Sequence, residues 1–178
     1  HVVSVLTEQR RFGGSLADLD AVRKAIDLPI LRKDFMVDEY QFYEARAHGA
    51  DVVLLIVAAL SKYQLEDYFH LAKELGMRSL IEVHTHDELE RALEISPDII
   101  GVNSRNLKTL EVDARAFSEL IPQIPLTMAR VAESGISTRQ EVAFAQECGA
   151  TAILVGEALV RSGSLSVAIN QLLGRLEQ

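Results

Sequence analysis

The stretch Val52-Val53-Leu54-Leu55-Ile56-Val57 is apolar throughout and rich in β-branched side chains. β-Branched residues favour an extended backbone. A half-buried strand alternates between apolar and polar residues, whereas this stretch offers apolar side chains to both faces. Strands of this kind belong to parallel sheets that are covered on both faces or closed on themselves. The stretch therefore predicts a buried parallel strand.

Similar short apolar runs recur along the chain, with amphipathic segments between them. One such segment places Leu65, Phe69, Ala72 and Leu75 three or four residues apart, which is the spacing of one helix face. The sequence therefore predicts an alternation of strands and single helices. The predicted strands are Val2–Leu6, Pro29–Leu31, Asp51–Val57, Ser79–Val83, Ile99–Val102, Arg130–Ala132 and Ala152–Val155.

Local signals mark the ends of several predicted helices. A Ser or Thr followed three residues later by Glu or Gln fits a capping box, in which side chains satisfy unpaired backbone N–H groups. A glycine directly after a helix fits the left-handed conformation that often ends it. The capping boxes begin at Ser61, Thr85 and Thr138, and the terminal glycines are Gly49, Gly76 and Gly149.

Two fold classes contain such an alternation, the (βα)8 barrel and the open doubly wound sheet. No early Gly-x-Gly-x-x-Gly turn is present, and polar residues follow many strands rather than one pair. Both features favour the barrel. Because a closed barrel needs eight strands, we expect an α/β fold with seven of the eight βα units of a (βα)8 TIM barrel. We expect one domain over residues 1–178, truncated at its amino terminus.

The composition is that of a soluble globular domain, with 48% hydrophobic and 25% charged residues in 178. A net charge of −8 argues against general binding to nucleic acid or to an acidic membrane. No apolar run reaches the ~20 residues of a membrane span. The single cysteine, Cys148, predicts a packed structural thiol rather than a nucleophile. Together these features predict a cytoplasmic protein.

The residues at the carboxyl ends of the predicted strands are unusually polar. In a βα barrel these ends converge on one mouth, although they are distant in sequence. Burying ionisable groups costs several kcal/mol unless they are paired or functional, so their repetition at most strand ends indicates a functional site. In chain order they are Thr7-Glu8, Arg32-Lys33-Asp34-Phe35, Glu82, Asn103-Ser104-Arg105, Glu133-Ser134-Gly135 and Gly156-Glu157.

Lys33 and Glu82 are the candidates for proton transfer. Beside a carboxylate, the Lys33 ammonium would stay protonated and serve as a general acid, or would hold a substrate carboxylate. The structural alternative is an ion pair between Lys33 and Asp34. Glu82 directly follows two apolar strand residues and is a candidate general base, with a salt bridge at the barrel rim as its alternative.

Asn103 and Arg105 are candidates for substrate contact. The Asn103 amide can hydrogen-bond a substrate hydroxyl, and its alternative role is to form a turn. Arg105 has the alternative of locking the rim by pairing with an acid. Glu82, His84 and His86 alternate as metal ligands on a strand do, but the predicted cap at Thr85 ends the strand before His86. We therefore expect no metal site.

Backbone amides after the last two strands of a barrel commonly bind a phosphate, together with the start of a short helix. Gly135, after Glu133-Ser134, and Gly156, before Glu157, stand at these two strand ends. Glycine lets the backbone approach phosphate oxygens closely. The pattern therefore predicts a phosphate site.

Taken together, these segments resemble the indole-3-glycerol-phosphate synthase family, over the whole chain and in the right order. The resemblance is highly specific, unlike any of its single motifs. The matching segments are Ser4–Glu8 with Phe12–Ser15, Leu31–Phe35, Val53–Val57, Leu80–Val83, Gly101–Leu107 and Val131–Ile136.

The resemblance implies a carboxy-lyase of tryptophan biosynthesis that works without a cofactor. Such an enzyme converts the phosphorylated small molecule 1-(2-carboxyphenylamino)-1-deoxyribulose 5-phosphate to indole-3-glycerol phosphate, carbon dioxide and water. By resemblance, Lys33 is the general acid of ring closure and Glu82 the general base of dehydration. The other implied site residues are Asn103, Glu133 and Ser134 for positioning the substrate hydroxyls and catalytic groups, Phe12, Phe35, Leu54 and Leu154 around the anthranilate ring, and Gly135, Gly156 and Glu157 at the phosphate.

The resemblance also implies an earlier strand that carries a glutamate, a lysine and a phosphate-binding serine, behind an extra helix. The chain begins inside the second strand, so we expect these parts to lie upstream of it. Two rival functions stay open: a sister phosphate-binding isomerase barrel, and an inactive fragment that binds phosphate ligands or self-associates. Association with other tryptophan-pathway enzymes and the oligomeric state stay open as well.

Overall fold

A computed structural model describes residues 1–106 and 109–175, and it shows the predicted alternation of parallel strands and helices. Leu107, the last residue of the motif that begins at Gly101, lies outside the described residues. The strands are β1 (Val3–Leu6), β2 (Ile30–Lys33), β3 (Val52–Ile56), β4 (Arg78–Val83), β5 (Ile99–Asn103), β6 (Ala129–Glu133) and β7 (Ala152–Leu154). The helices are α1 (Gln9–Phe12), α2 (Leu16–Ala25), α3 (Tyr40–Ala47), α4 (Lys62–Glu74), α5 (His86–Glu94), α6 (Arg115–Leu120), α7 (Arg139–Glu147), α8 (Glu157–Arg161) and α9 (Leu165–Leu172).

The chain divides into two compact units, one of His1–Glu82 with Glu90–Asp98 and one of Val83–Leu89 with Ile99–Gln178. In the first unit, β1 to β4 pair in parallel in chain order. In the second unit, β5 pairs with β6 and β6 pairs with β7, again in parallel. That residues 1–178 form one domain stays a prediction.

The expected fold class is confirmed. A doubly wound sheet reverses its strand order at a switch point, whereas the strands inside each unit follow the order of the chain. The elements are those of seven of the eight βα units of a TIM barrel.

The strand ends differ from the prediction by one or two residues at several positions. Glu82 lies inside β4, as it does in the predicted strand. Lys33, Asn103 and Glu133 are the last residues of their strands, whereas the predicted strands end one or two residues before them. Backbone pairing accounts for this, because Lys33 pairs with Leu6 and Asn103 pairs with Glu133 in the strand ladders. The polar side chains are therefore oriented by sheet geometry rather than by loops.

The β3 strand has the burial expected from its sequence, with all five residues buried. Helix α4 covers this part of the sheet with Leu65 and Ala72, which are buried on one helix face. The capping boxes at Ser61 and Thr138 are confirmed, with both reciprocal bonds formed. The terminal glycines Gly49, Gly76 and Gly149 have positive φ angles, as predicted.

Asp51 and Arg23 form hydrogen bonds at the amino-terminal ends of β2 and β3. The carboxylate of Asp51 accepts hydrogen bonds from the backbone N–H of Ile30 and from the Arg23 guanidinium, both at 2.9 Å. Arg23 also donates to the carbonyl oxygens of Ile26 and Leu28. These bonds connect α2 to the starts of β2 and β3 without involving the strand ends that carry the polar residues.

Cys148 is half-buried, and burial, with a smaller effect of the neighbouring Glu147 charge, raises the pKa of its thiol. A raised pKa reduces the thiolate fraction at neutral pH, which fits the structural role predicted for it. Among the helices of residues 1–106 and 109–175, none combines the length and the apolar character that crossing a membrane requires.

Candidate active site

Lys33 and Glu82 are brought together in the first unit. The Lys33 Nζ atom lies 3.2 Å from Oε2 of Glu82, although 49 residues separate them. Glu82 is 1% exposed, whereas the Lys33 side chain is 23% exposed. The carboxylate is therefore deep in the protein, and the ammonium beside it reaches solvent. This is the arrangement of a charged pair that can pass a proton to a bound molecule.

The strand registers explain this meeting. Residues paired in a parallel ladder point to the same sheet face, and neighbours along a strand point to opposite faces. Ile56 pairs with Glu82 and Leu54 with Leu80, so Leu54 shares the face of Glu82. Leu31 pairs with Val52, which puts Lys33 on this face as well. Leu54 is 3% exposed and contributes a buried apolar side chain to this face.

Two aromatic rings, those of Phe12 and Phe35, lie close to each other in the first unit. The ring centroids of Phe12 and Phe35 lie 6.5 Å apart, and Phe12 is 56% exposed. Phe12 ends the single-turn helix α1, which folds back on β1. A Cβ atom at Gly14 would lie 2.1 Å from the Leu6 carbonyl oxygen, so only glycine fits at this close approach.

Glu8 caps the turn that carries Phe12. Its carboxylate accepts hydrogen bonds from the backbone N–H groups of Arg11, Arg10 and Phe12 at 2.7, 3.0 and 3.2 Å. These donors, led by the Arg11 N–H, lower the pKa of Glu8. Glu8 is among the polar residues predicted at strand ends, but the sequence pattern indicated no role for it. Its position just before a one-turn helix was the available signal.

Asp34, the partner of Lys33 in the structural alternative, forms an ion pair with Arg32 at 3.2 Å. Thr7 donates to the same carboxylate at 2.5 Å. The sequence did not assign a role to Arg32 or Thr7. In the sequence, both are further residues of polar strand ends, and no local signal distinguishes them.

In the second unit, Asn103, Glu133 and Leu154 form a row across three strands. Asn103 pairs with Glu133, and Glu133 pairs with Leu154, so the three side chains share one sheet face. Glu133 is 1% exposed and Asn103 is 8% exposed. Leu154 is half-buried at the end of the row. The row presents a carboxylate and an amide beside an apolar side chain.

The alternative roles of Asn103 and Arg105, forming a turn and pairing with an acid at the rim, are both seen in the structure. Oδ1 of Asn103 accepts a hydrogen bond from the Arg105 N–H at 3.0 Å, which is an Asx turn. The Arg105 guanidinium lies 2.9 Å from the Glu157 carboxylate and donates to the Leu110 carbonyl oxygen. These bonds tie the loop after β5 to the start of α8.

Ser134 and Gly135 turn the chain sharply after β6. Both have a φ of +67°, which is uncommon for serine and readily adopted by glycine. A Cβ atom at Gly135 would also lie 2.5 Å from Val112 Cγ1. The hydroxyl of Ser104 donates to the carbonyl oxygens of Glu133 and Ser134, at 3.2 Å each. Ser104, which the sequence did not single out, therefore braces this turn.

Gly156 and Glu157 stand at the start of the short helix α8. Gly156 is the residue before its first turn, and Glu157 is its first residue. A Cβ atom at Gly156 would meet no other atom within 4 Å. The open space above this glycine lies in the second unit, which also contains Ser134 and Gly135.

The residues weighed as metal ligands lie at the end of β4 and the start of α5. β4 ends at Val83 and His86 begins α5, so the predicted break before His86 is confirmed. The His84 ring lies 3.1 Å from Glu88. Within residues 1–106 and 109–175, no group of three or more His, Cys, Asp or Glu side chains is arranged to hold a metal ion.

A family model for indole-3-glycerol phosphate synthase matches residues 1–172. The chain belongs to the indole-3-glycerol phosphate synthase family. It is 60% identical over 159 residues to the indole-3-glycerol phosphate synthase of Arthrobacter sp. (strain FB24), covering 89% of this chain and 58% of that protein. It is 55% identical over 172 residues to indole-3-glycerol phosphate synthase 1 of Streptomyces coelicolor (strain ATCC BAA-471 / A3(2) / M145), covering 96% and 64%.

Solved structures of two other enzymes share the fold of this chain. A 3-hexulose-6-phosphate synthase superimposes with a TM-score of 0.78 at 15% identity, covering 98% of this chain and 87% of that one. A tryptophan synthase α-subunit from Pyrococcus furiosus superimposes with a TM-score of 0.71 at 18% identity, covering 90% and 72%. At these identities the likeness concerns the fold alone.

Membership of the indole-3-glycerol phosphate synthase family removes the sister isomerase barrel as the family of this chain. The chain spans 58–64% of the length of the curated relatives described above. The candidate residues of both units lie inside the matched span.

Proposed function

We propose that the chain forms most of an indole-3-glycerol phosphate synthase. The substrate, 1-(2-carboxyphenylamino)-1-deoxyribulose 5-phosphate, closes its ring by forming a bond between the anthranilate ring carbon that bears the carboxylate and the ketone carbon. It then loses that carboxylate as carbon dioxide and the former ketone oxygen as water. The observation that carries this proposal is the Lys33–Glu82 pair on the face of the first unit.

Lys33 is the proposed general acid of ring closure. The ketone oxygen gains negative charge as the new carbon–carbon bond forms, and a proton from the Lys33 ammonium neutralises it. The Glu82 carboxylate at 3.2 Å supports this role, because a nearby anion favours the protonated ammonium. The 23% exposure of the Lys33 side chain leaves it accessible to a ligand.

Glu82 is the proposed general base of the later dehydration. Once the oxygen has become a hydroxyl, its departure as water is coupled to removal of a proton from the ring system, which a carboxylate can accept. Asn103, Glu133 and Ser134 are proposed to hold the substrate hydroxyls and catalytic groups. The row formed by Asn103 and Glu133 on one face supports this assignment.

The apolar part of the substrate is proposed to lie against Phe12, Phe35, Leu54 and Leu154. The exposed Phe12 ring, 6.5 Å from Phe35, leaves an aromatic surface that an anthranilate ring can cover. Arg105, which is fixed by Glu157, is proposed to face the polar edge of the substrate.

The phosphate is proposed to bind the backbone at Gly135, Gly156 and Glu157. Two features of the second unit support this, namely the positive φ angles of Ser134 and Gly135 and the open space at Gly156. Phosphate oxygens accept hydrogen bonds from backbone N–H groups that no side chain shields. This proposal uses no metal or cofactor, since the side chains supply each proton transfer.

The chain spans less than two thirds of these relatives, and the family resemblance implies a further strand, helix and loop before β1. The chain is proposed to work together with that segment. We call the chain joined to that segment the intact protein. The proposed compartment is the cytoplasm, and the proposed ligand is the phosphorylated substrate. The alternative, an inactive fragment that binds phosphate ligands or self-associates, applies to the 178 residues by themselves.

The test is to assay the intact protein for indole-3-glycerol phosphate and carbon dioxide release. We expect equal amounts of the two products. The aminoaldose phosphate isomer of the substrate, which a sister isomerase would consume, should stay unchanged. Absence of either product from an intact, folded protein would contradict the proposed function.

A further inference from the structure

Arg32 lies directly beside Lys33 in β2 but points to the opposite sheet face. Its side chain is 3% exposed. Its Nε donates to Thr7 Oγ1 at 3.0 Å, and its Nη1 donates to the Gln41 carbonyl oxygen at 2.9 Å. Its Nη2 lies 3.2 Å from Asp34 and 2.8 Å from Glu44. One guanidinium therefore connects the end of β1, the loop after β2 and helix α3.

The partners of Arg32 hold the backbone on both sides of Lys33. Asp34 Oδ1 accepts the backbone N–H of Phe35 at 2.8 Å, and its Oδ2 accepts the Thr7 hydroxyl. At the end of β2, just before the loop that contains Asp34 and Phe35, the backbone N–H of Thr7 donates to the Lys33 carbonyl oxygen at 3.2 Å. Lys33 is therefore fixed at its carbonyl group, and Phe35 at its amide.

The rest of the loop is fixed by Gln41, whose backbone carbonyl Arg32 holds. The Gln41 side chain donates to the Phe35 carbonyl oxygen at 2.9 Å. Its Oε1 atom accepts the N–H groups of Val37 and Asp38 at 2.7 and 3.0 Å. The loop that follows the candidate acid and carries one ring of the candidate ring site thus depends on bonds that converge on Arg32.

A buried ion pair is weak as a source of stability, because desolvation offsets the attraction between its charges. A rigid, five-donor guanidinium does hold several acceptors in one geometry, which a lysine cannot do. Position also matters strongly in catalysis, since a displacement of about 1 Å of a reacting group can cost about 100-fold in rate.

We propose that Arg32 is a positioning residue for the reaction. Through Asp34 and Gln41 it holds the Lys33 ammonium where it meets Glu82 and the Phe35 ring where it faces Phe12. Arg32 touches no reacting atom in this proposal. The inference rests on the function proposed above for Lys33.

The test compares Arg32→Lys and Arg32→Met with Arg23→Met in the intact protein. Arg23 is the matched control, because it also binds several backbone carbonyls and an aspartate, at the starts rather than the ends of β2 and β3. We expect both Arg32 variants to lower kcat about 10- to 100-fold at saturating substrate. Arg23→Met should lower the melting temperature and leave kcat within about two-fold.

Arg32→Lys separates positioning from charge. It keeps the positive charge against Asp34 and Glu44 but cannot span the four acceptors. A kcat within about two-fold of wild type in Arg32→Lys, measured below its melting temperature, would overturn the proposal. If neither Arg32 variant folds, Gln41→Met provides the test of the positioning role. We expect this variant to lower kcat about five-fold or more and to raise KM.

Lys33→Met in the same assay separates this proposal from the proposed function. If Lys33→Met abolishes turnover while the Arg32 and Gln41 variants keep normal kcat, only the positioning role is wrong. If Lys33→Met itself keeps normal turnover, the function assigned to Lys33 is wrong, and the positioning proposal falls with it.

Discussion

The Nζ atom of Lys33 lies 3.2 Å from Oε2 of Glu82, whose side chain is 1% exposed. The two residues end up on one face because β2, β3 and β4 pair in order, with registers that alternate side chains consistently across the three strands. Each charge stabilises the other in a poorly solvated place. Removing one partner therefore affects both the stability and the proposed chemistry.

Lys33→Met should lower turnover of the intact protein about 10²–10⁴-fold, which is the usual contribution of a general acid. The variant should also lose about 1–3 kcal/mol of stability, because the Glu82 carboxylate loses a partner. The double variant Lys33→Met with Glu82→Gln should recover most of that stability without recovering turnover. Denaturant unfolding and product formation measure the two effects. Near-normal turnover in Lys33→Met would rule out the general acid role.

Gly156→Val should weaken binding of inorganic phosphate and of the product. A Cβ atom at Gly156 would meet no other atom within 4 Å, so the protein can accommodate this substitution. A larger side chain there would crowd a bound ligand rather than the protein. Gly163→Val is the matched control, since Gly163 also has open space around it. Titration calorimetry should show a loss of about ten-fold or more for Gly156→Val and none for Gly163→Val. Equal affinities in the two variants would place the phosphate elsewhere.

The pKa of the Glu8 carboxyl group should lie below its ordinary value of 4.5. Its folded pKa is lowered, first by the Arg11 N–H, so its cap is fully formed above its unfolded pKa and is lost as pH falls through the folded pKa. The backbone amide shift of Arg11, followed by NMR, should show a midpoint below 4.5 that disappears in Glu8→Gln. A midpoint at or above 4.5 would show that the cap does not form in solution.

Phe12 depends on this cap for its position in the proposed ring site. Glu8→Ala should raise the KM of the intact protein about three- to ten-fold and change kcat little, because the ring contacts ground state and transition state alike. Ser15→Ala, which removes the N-cap of the next helix, is the control and should leave KM unchanged. A fall in kcat with constant KM would contradict the role given to Phe12.

The 178-residue chain without the upstream segment should be inactive and should self-associate. In the strand order β7 comes last, and α8 and α9 expose the apolar residues Val160, Leu165 and Val167. Exposed apolar surface next to an edge strand favours association. Addition of the segment should give a species of defined mass that forms product. A monomeric, fully active 178-residue chain would show the segment to be dispensable.

Substitution on this surface identifies what associates. Val167→Lys should reduce the solution mass of the isolated chain, because it places a charge on the apolar face of α9. Leu126→Lys is the control, since Leu126 is 83% exposed outside any helix or strand and should not affect the mass. Equal masses for both variants would exclude the α9 surface as the contact.

The sequence by itself determined the features that depend on near neighbours. The apolar run in β3 is buried on both faces, and the capping boxes at Ser61 and Thr138 form both of their bonds. Each depends on residues within a few positions, so a local pattern is enough to predict it. The alternation with helices predicted parallel strands, and consecutive strands joined in this way usually lie side by side.

Tertiary structure alone decided which polar side chains meet. Arg32 reads as one more residue of a polar strand end, yet its guanidinium reaches Thr7, 25 residues away, and Glu44 on α3. Nor does the sequence give the positive φ of Ser134, which is left-handed without being glycine. Side-chain direction follows from the pairing register, and that register is set by packing between segments far apart in the chain.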